Sequence, residues 1–204
     1  MLEIDHIVIS AETLEEGTAY VTECLGVDLL EGGQHAKFGT HNRLLRLGDQ
    51  YLEVIAIDPS AAKPDCARWF GLDEFSGQPR ITNWVCRTDK PRRVIGRTLP
   101  GTGEMVPVSR GDLHWQITVA RNGKLPLDGF APAIIDWMGA DAPPTRMPES
   151  GCTVDQFSIM HPHAITLRSF LSGLLSDDRL TLRGSEVPKY ELTLKTPSGP
   201  KILT

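Results

Sequence analysis

The sequence predicts an α+β fold built from tandem βαβββ units, with a partial third unit at the end. Three observations predict it. Residues 2–57 read in the order strand, helix, strand, strand, strand. The same order restarts near residue 80 and again near residue 152. The first and third openings align as "EIDHIVIS" and "TVDQFSIM", matching Asp5 with Asp155 and His6 with Gln156, and Asn83 takes the His6 place in the second opening. A spacing of roughly 75–80 residues between similar units is the mark of an internal repeat.

Each element has a local cause. Residues 2–10, "LEIDHIVIS", are almost wholly aliphatic and β-branched and form a strand. Ser10 stands where it can cap the following helix, and Glu12, Glu15 and Glu16 suit the positive end of the helix dipole. Leu14, Val21 and Leu25 recur at helical spacing, and Gly26 ends the helix. The second strand opens at 27–30. After a loop, strands at 42–47 and 51–57 are joined through Gly48-Asp49, a tight hairpin signal. These elements make up a first unit, 1–58. Residues 59–80 are rich in Pro, Asp, Gly and Ala and read as a linker with a short helix in "RWFGLDEF". The second unit, 81–139, has a strand at 80–88, a helix at 89–99 and strands in "EMVPVSRG", "LHWQITVA" and "APAIIDWM". A Pro-rich linker, 140–151, leads to the partial third unit, 152–204. That unit has a strand at 152–160, a helix from Pro162 to Leu175, the strand "LTLRG" and a hairpin across "TPSG".

Composition excludes several function classes. The chain has 204 residues, 40% of them hydrophobic and 23% charged, with a net charge of −5. Without a basic block it lacks the electrostatic footprint of a nucleic-acid binder. No apolar run approaches the roughly 18 residues of a membrane span. The four cysteines, Cys24, Cys66, Cys86 and Cys152, form no CxxC pair. Reduced thiols and a cytoplasmic location are therefore the expectation. "GTGEMV" lacks the Gly-Lys-Ser/Thr ending of a phosphate loop, and no GxSxG elbow is present.

The candidate chemistry lies in polar residues that interrupt apolar strands. His6 does so in the first strand and Glu53 in "QYLEVIAID". A buried carboxylate is costly unless it is paired, hydrogen-bonded or metal-bound. If the first and last strands of the unit are neighbours, His6 and Glu53 face one cavity. Imidazole plus carboxylate suits Zn, Mn, Fe or Ni, and equally suits a His–Glu hydrogen bond that only fixes the core. Strand alternation puts Asp5 on the opposite face. "GTHNRLL" adds His41 as a third metal ligand or general base, and Asn42 as a substrate contact. In the second unit Asp136 interrupts "APAIIDWM" where Glu53 interrupts its strand. His114, Trp115 and Trp137 are candidates for lining a pocket for a small organic ligand, and Asn83 for contacting it.

These residues carry a resemblance. "LEIDHIVISAETLEEGTAYVTECLGV" followed by "GTHNRLLRLGDQYLEVIAID" resembles the glyoxalase-like branch of the vicinal oxygen chelate superfamily. The likeness extends more loosely through "RWFGLD", "IIDW" and the third unit. It implies that the paired units curl into an open, mixed β-sheet barrel with flanking helices around a cleft. It also implies a divalent metal held by first- and fourth-strand residues of each unit. Carried over, those positions are His6, Glu53, Asn83 and Asp136. The implied function is a divalent-metal enzyme of isomerase, lyase or dioxygenase type acting on a small oxygenated metabolite, with Glu53 and His41 moving the proton. The alternative is a metal-free small-molecule binder of the same fold, and a third reading makes the His6–Glu53 pair purely structural. The expected partners are a small molecule and, through the uncovered sheet edges of the half-unit, a second copy of the chain.

Overall fold

An aliphatic run without polar alternation asks for a strand covered on both faces. β1 (Glu3–Ser10) is such a strand, buried at every position after Glu3. In the computed structural model, which describes residues 1–204, it is central. It pairs in parallel with β4 (Gln50–Ile57) and antiparallel with β5 (Arg80–Arg87). α1 (Leu14–Leu25) connects β1 to β2 (Leu30–His35) and β3 (Thr40–Leu47). Its cap is Thr13, whose hydroxyl accepts from the Glu16 amide at 3.2 Å. Ser10 does not cap it and instead pairs with the Thr82 hydroxyl at 2.7 Å. Gly26 ends the helix in the left-handed region, at φ 71°.

The second unit continues with the short α2 (Pro91–Ile95), β6 (Glu104–Arg110), β7 (Leu113–Val119) and β8 (Ala133–Asp136). A 3-10 turn at Trp69–Glu74 lies in the first linker. Eight strands form one curled sheet in the order β2-β3-β4-β1-β5-β8-β7-β6. The pairs His6↔Val85 and Val8↔Asn83 relate the two units by an approximate dyad between β1 and β5. His6 and Asn83 are therefore equivalent, as the repeat predicts. The sheet edges are β2 and β6, and the curl brings them close without a hydrogen-bond ladder between them.

β9 (Thr153–Met160), α3 (Ala164–Leu171), β10 (Leu180–Arg183), β11 (Lys189–Thr196) and β12 (Gly199–Leu203) make a second sheet of order β10-β9-β11-β12. The turn between β11 and β12 falls on "TPSG", as read from the sequence. This sheet covers the outer face of the first. One apolar cluster joins Ile7, Ile9, Trp84 and Ile134 to Phe157, Leu192 and Leu203. A second cluster fills the inside of the curl with Val8, Ile55, Val85, Ala133 and Ile135. β1, β4, β5 and β8 thus supply both cores from alternate residues, which is why their sequences show no polar alternation.

Several element bounds differ from the sequence reading. β2 starts at Leu30, the last residue of the 27–30 opening rather than Val27, and runs through Gly32-Gly33 into what read as loop. α2 is one turn rather than the span 89–99, and α3 ends at Leu171. No helix is long and apolar enough to cross a membrane.

Candidate active site in the curled sheet

The site begins with a bulge. The β1–β5 register shifts between Ile4 and His6, so one extra residue, Asp5, is accommodated there. A bulge re-aims side chains. Asp5 therefore does not point to the opposite face as alternation predicts. It is fully buried beside His6, and its Oδ1 lies 2.6 Å from His6 Nδ1. Its Oδ2 accepts from Trp137 Nε1 at 2.9 Å, with the Arg87 guanidinium 3.7 Å away.

That contact holds Nδ1 of His6 and leaves Nε2 facing Glu53 Oε2 at 3.5 Å. The parallel β1–β4 pairing, which puts Glu53 opposite Val8, brings the two side chains to one cavity. The His6 ring also stacks on Tyr51, with centroids 4.4 Å apart. Glu53 Oε1 accepts from Asn42 Nδ2 at 2.5 Å. Asn42 Oδ1 in turn accepts from the Gly33 amide at 2.8 Å and faces Arg110 Nη1 at 3.4 Å. Asp5, His6, Glu53, Asn42 and Arg110 thus form one polar chain across the cavity.

Burial and charge set the protonation states. Burial alone would lower the His6 pKa, but the Asp5 and Glu53 carboxylates outweigh it and raise it to about 9. Burial would raise Glu53, but the His6 imidazolium and the Asn42 amide bring it down to about 2. At neutral pH the pair is ionic. His35, on the same cavity, is driven the other way. Burial, helped by Arg110, His6 and His41, lowers it to about 4 despite the opposing Glu53 charge. It is neutral, with Nδ1 at 3.1 Å from the Thr40 hydroxyl.

The cavity is tight, about 30 Å³. Its walls are aromatic: Trp69, Trp115 and Trp137, with Tyr51 and Phe70 beside them. The two glycines of β2 fit around its contents. An ideal Cβ at Gly32 would fall 2.1 Å from Asn42 Oδ1, and one at Gly33 would fall 2.3 Å from Arg110 Cδ.

The structure gathers His6, Glu53, Asn42, Trp115 and Trp137 at this cavity and places four other sequence candidates elsewhere. Asn42 and Leu44 of β3 line the cavity, so His41, between Thr40 and Asn42, points away from it. Asp136 is half-buried, on another surface pocket, and its Oδ1 accepts from the Met138 amide. Register explains the difference. Val85, the dyad mate of Val8, pairs with Ala133, so Ala133 and not Asp136 is the equivalent of Glu53. Asn83 is buried near Gly129, to whose carbonyl its Nδ2 donates at 3.4 Å, and lines a different cavity. His114 is exposed on β7.

The four first- and fourth-strand positions thus hold His6, Glu53, Asn83 and Ala133. Two of them are good metal donors, and the guanidinium of Arg110 shares their cavity. No group of three or more His, Cys, Asp or Glu side chains is arranged to hold a metal. This donor set does not fit the four-ligand metal centre that the resemblance implies.

Sequence reasoning missed Asp5, His35, Tyr51, Trp69 and Arg110 as site residues. Asp5 had a signal, an acid directly beside a strand histidine. His35 was hidden because Gly32-Gly33 masks its strand. Arg110 comes from the far edge of the sheet, and nothing local marks it.

A family model described as a glyoxalase-like domain matches residues 4–175. A crystal structure of a hypothetical protein from Staphylococcus aureus superposes with a TM-score of 0.65 at 16% identity, covering 93% of this chain and 89% of that one. A hypothetical protein from Bacillus halodurans C-125 gives a TM-score of 0.46 at 17% identity, covering 66% and 92%. A methylmalonyl-CoA epimerase from Mycobacterium tuberculosis gives 0.42 at 18% identity, covering 65% and 85%. No curated protein matches the chain.

Proposed function

The chain belongs to the glyoxalase-like domain family of the vicinal oxygen chelate superfamily, and on that premise we propose that it is an enzyme that moves a proton on a small oxygenated metabolite held in the cavity. One observation carries this reading: a buried His6–Glu53 ion pair faces a cavity rather than packed side chains. A buried ion pair is often no better for stability than apolar residues of the same volume. Strongly shifted titratable groups in a cleft mark candidate chemistry.

Glu53 is the base in this reading, and His6 is the hydrogen-bond donor to the substrate oxygen. The resting Glu53 is a weak base because His6 holds it. A substrate carbonyl or hydroxyl that takes the His6 Nε2–H removes that hold, and the Glu53 pKa rises toward a working value. Glu53 then accepts a proton from the carbon next to the carbonyl. The electron pair moves onto the oxygen, where the imidazolium stabilises the charge. Return of the proton to the former carbonyl carbon, with the neighbouring hydroxyl proton passing to the first oxygen, gives isomerisation; return to the original carbon gives exchange, and loss of a leaving group gives a lyase. Asp5 and Asn42 orient the pair. No step is assigned to His41, which faces away. Dioxygenase chemistry would call for two histidines and a carboxylate on one metal; His6, His35 and Glu53 line this cavity, but no three such side chains converge to hold an ion.

The test is deuterium exchange. Small 2-hydroxy and 2-oxo compounds in D2O are followed by proton NMR, with and without a chelator. The wild type exchanges the C–H in both conditions, and Glu53→Gln slows exchange by at least about 100-fold. Exchange that only the chelator abolishes rejects the metal-free route. The aromatic walls favour one second reading, a binder that holds its ligand unchanged. Saturable binding without exchange of any compound would select it.

A further inference from the structure

We infer that Arg110 is the anion-anchoring residue of the cavity and that its ligand carries a carboxylate. The inference rests on the proposal that this cavity is the ligand site, and names the class of ligand. Arg110 is the last residue of the edge strand β6, and it reaches across the seam between the two sheet edges into the first unit. Its guanidinium makes no ion pair with any carboxylate within 4.0 Å, unlike Arg43, Arg46, Arg68, Arg87 and Arg179. Its only hydrogen bond is the long one to Asn42 Oδ1, at 3.4 Å. The remaining donors have no protein acceptor, although Arg110 lines the cavity.

A planar fork of five N–H donors is matched best by the two oxygens of a carboxylate. The local sequence keeps the fork in place. The stem lies against Gly33, where any side chain would occupy the space of Arg110 Cδ. The same cavity holds the positive His6, so the pocket presents two cations against the single Glu53 carboxylate that the ligand meets. A ligand with a carboxylate on Arg110 and a neighbouring carbonyl or hydroxyl oxygen at His6 uses both. The tight cavity limits the skeleton to a few carbons.

The test is calorimetric titration of lactate, pyruvate and 2-oxobutyrate, each beside its neutral amide. At least one acid binds, about tenfold or more tighter than its amide. Arg110→Gln loses that preference and leaves amide binding within about twofold. Gly33→Ala, which keeps the guanidinium but pushes its stem aside, lowers acid affinity in the same direction. It guards against a folding effect of the Arg110 change. No binding by any of the acids, or equal binding of acid and amide, overturns the inference. Acid preference with no deuterium exchange would leave Arg110 in its role and reject the proton-transfer reading instead.

Discussion

His6 and His35 share one cavity and titrate in opposite directions, which gives the stability of the protein a shape in pH. The folded His6 pKa, about 9, lies above its ordinary value of 6.5. Its contribution is complete below pH 6.5 and is lost as pH rises through 9. The folded His35 pKa, about 4, lies below 6.5, so its contribution is complete above pH 6.5 and is lost as pH falls through 4. Glu53, at about 2 against an ordinary 4.5, adds to the acid limb, since its contribution is lost below pH 4.5. Thermal melts between pH 4 and pH 10 should peak near pH 6.5. His6→Asn should flatten the alkaline limb and His35→Asn the acid one. An alkaline limb unchanged in His6→Asn would show that the pair is not its source. At this scale the sequence revealed the pair, because a histidine and a glutamate in aliphatic strands are costly and need a reason. It did not reveal Asp5 as the partner of His6, because a bulge breaks the alternation on which the reading of faces depends. Nor did it reveal His35 or Arg110, whose places depend on contacts across a closed curve.

At the scale of elements, α1 shows how close packing overrides propensity. Glycine weakens a helix interior, yet Gly17 sits inside α1. The reason is β4 beneath it: a Cβ there would lie 2.5 Å from Val54 Cγ1 and 2.8 Å from Ala11 Cβ. Gly17→Ala, which would stabilise a free helix, should destabilise this protein by about 1–3 kcal/mol. Urea unfolding measures the change, and a gain in stability would show that the helix can rise from the sheet at no cost. Most elements were legible because they obey one rule each. The runs of β1 and β4 are long and apolar, α1 has its spacing and its terminal glycine, and the β3–β4 and β11–β12 turns have their turn residues. β2 was misplaced because "EGGQH" has no strand signature. Its glycines serve Asn42 and Arg110 rather than the strand. α2 was overestimated because "DKPRRVIGRTL" has the composition of a helix, and the fold uses one turn of it.

For the whole molecule, the second sheet is part of the core and not an accessory. Trp84 of β5 packs on Phe157 of β9 with ring centroids 5.8 Å apart, and Tyr190 donates to the Gly129 carbonyl at 2.8 Å. Phe157→Ala should cost about 3–5 kcal/mol. Because the two sheets share one apolar cluster, tryptophan fluorescence and far-ultraviolet circular dichroism should report one coincident transition. Two separated transitions would make the second sheet an independent unit.

The meeting of β2 and β6 has a mechanical consequence. Seven laddered pairings hold the eight strands together, and the eighth junction has none. It is bridged by side chains, with Lys37 Nζ reaching the Pro107 carbonyl at 3.2 Å and Arg110 reaching Asn42. Pro107 offers no amide, and the Gly32-Gly33 irregularity breaks the line of β2, so neither edge is suited to closing the junction. The curled sheet is a split ring. Such a ring widens at its slit by flexing elsewhere, and no main-chain bond is sacrificed when it does. The arginine that would hold a ligand stands at that gap.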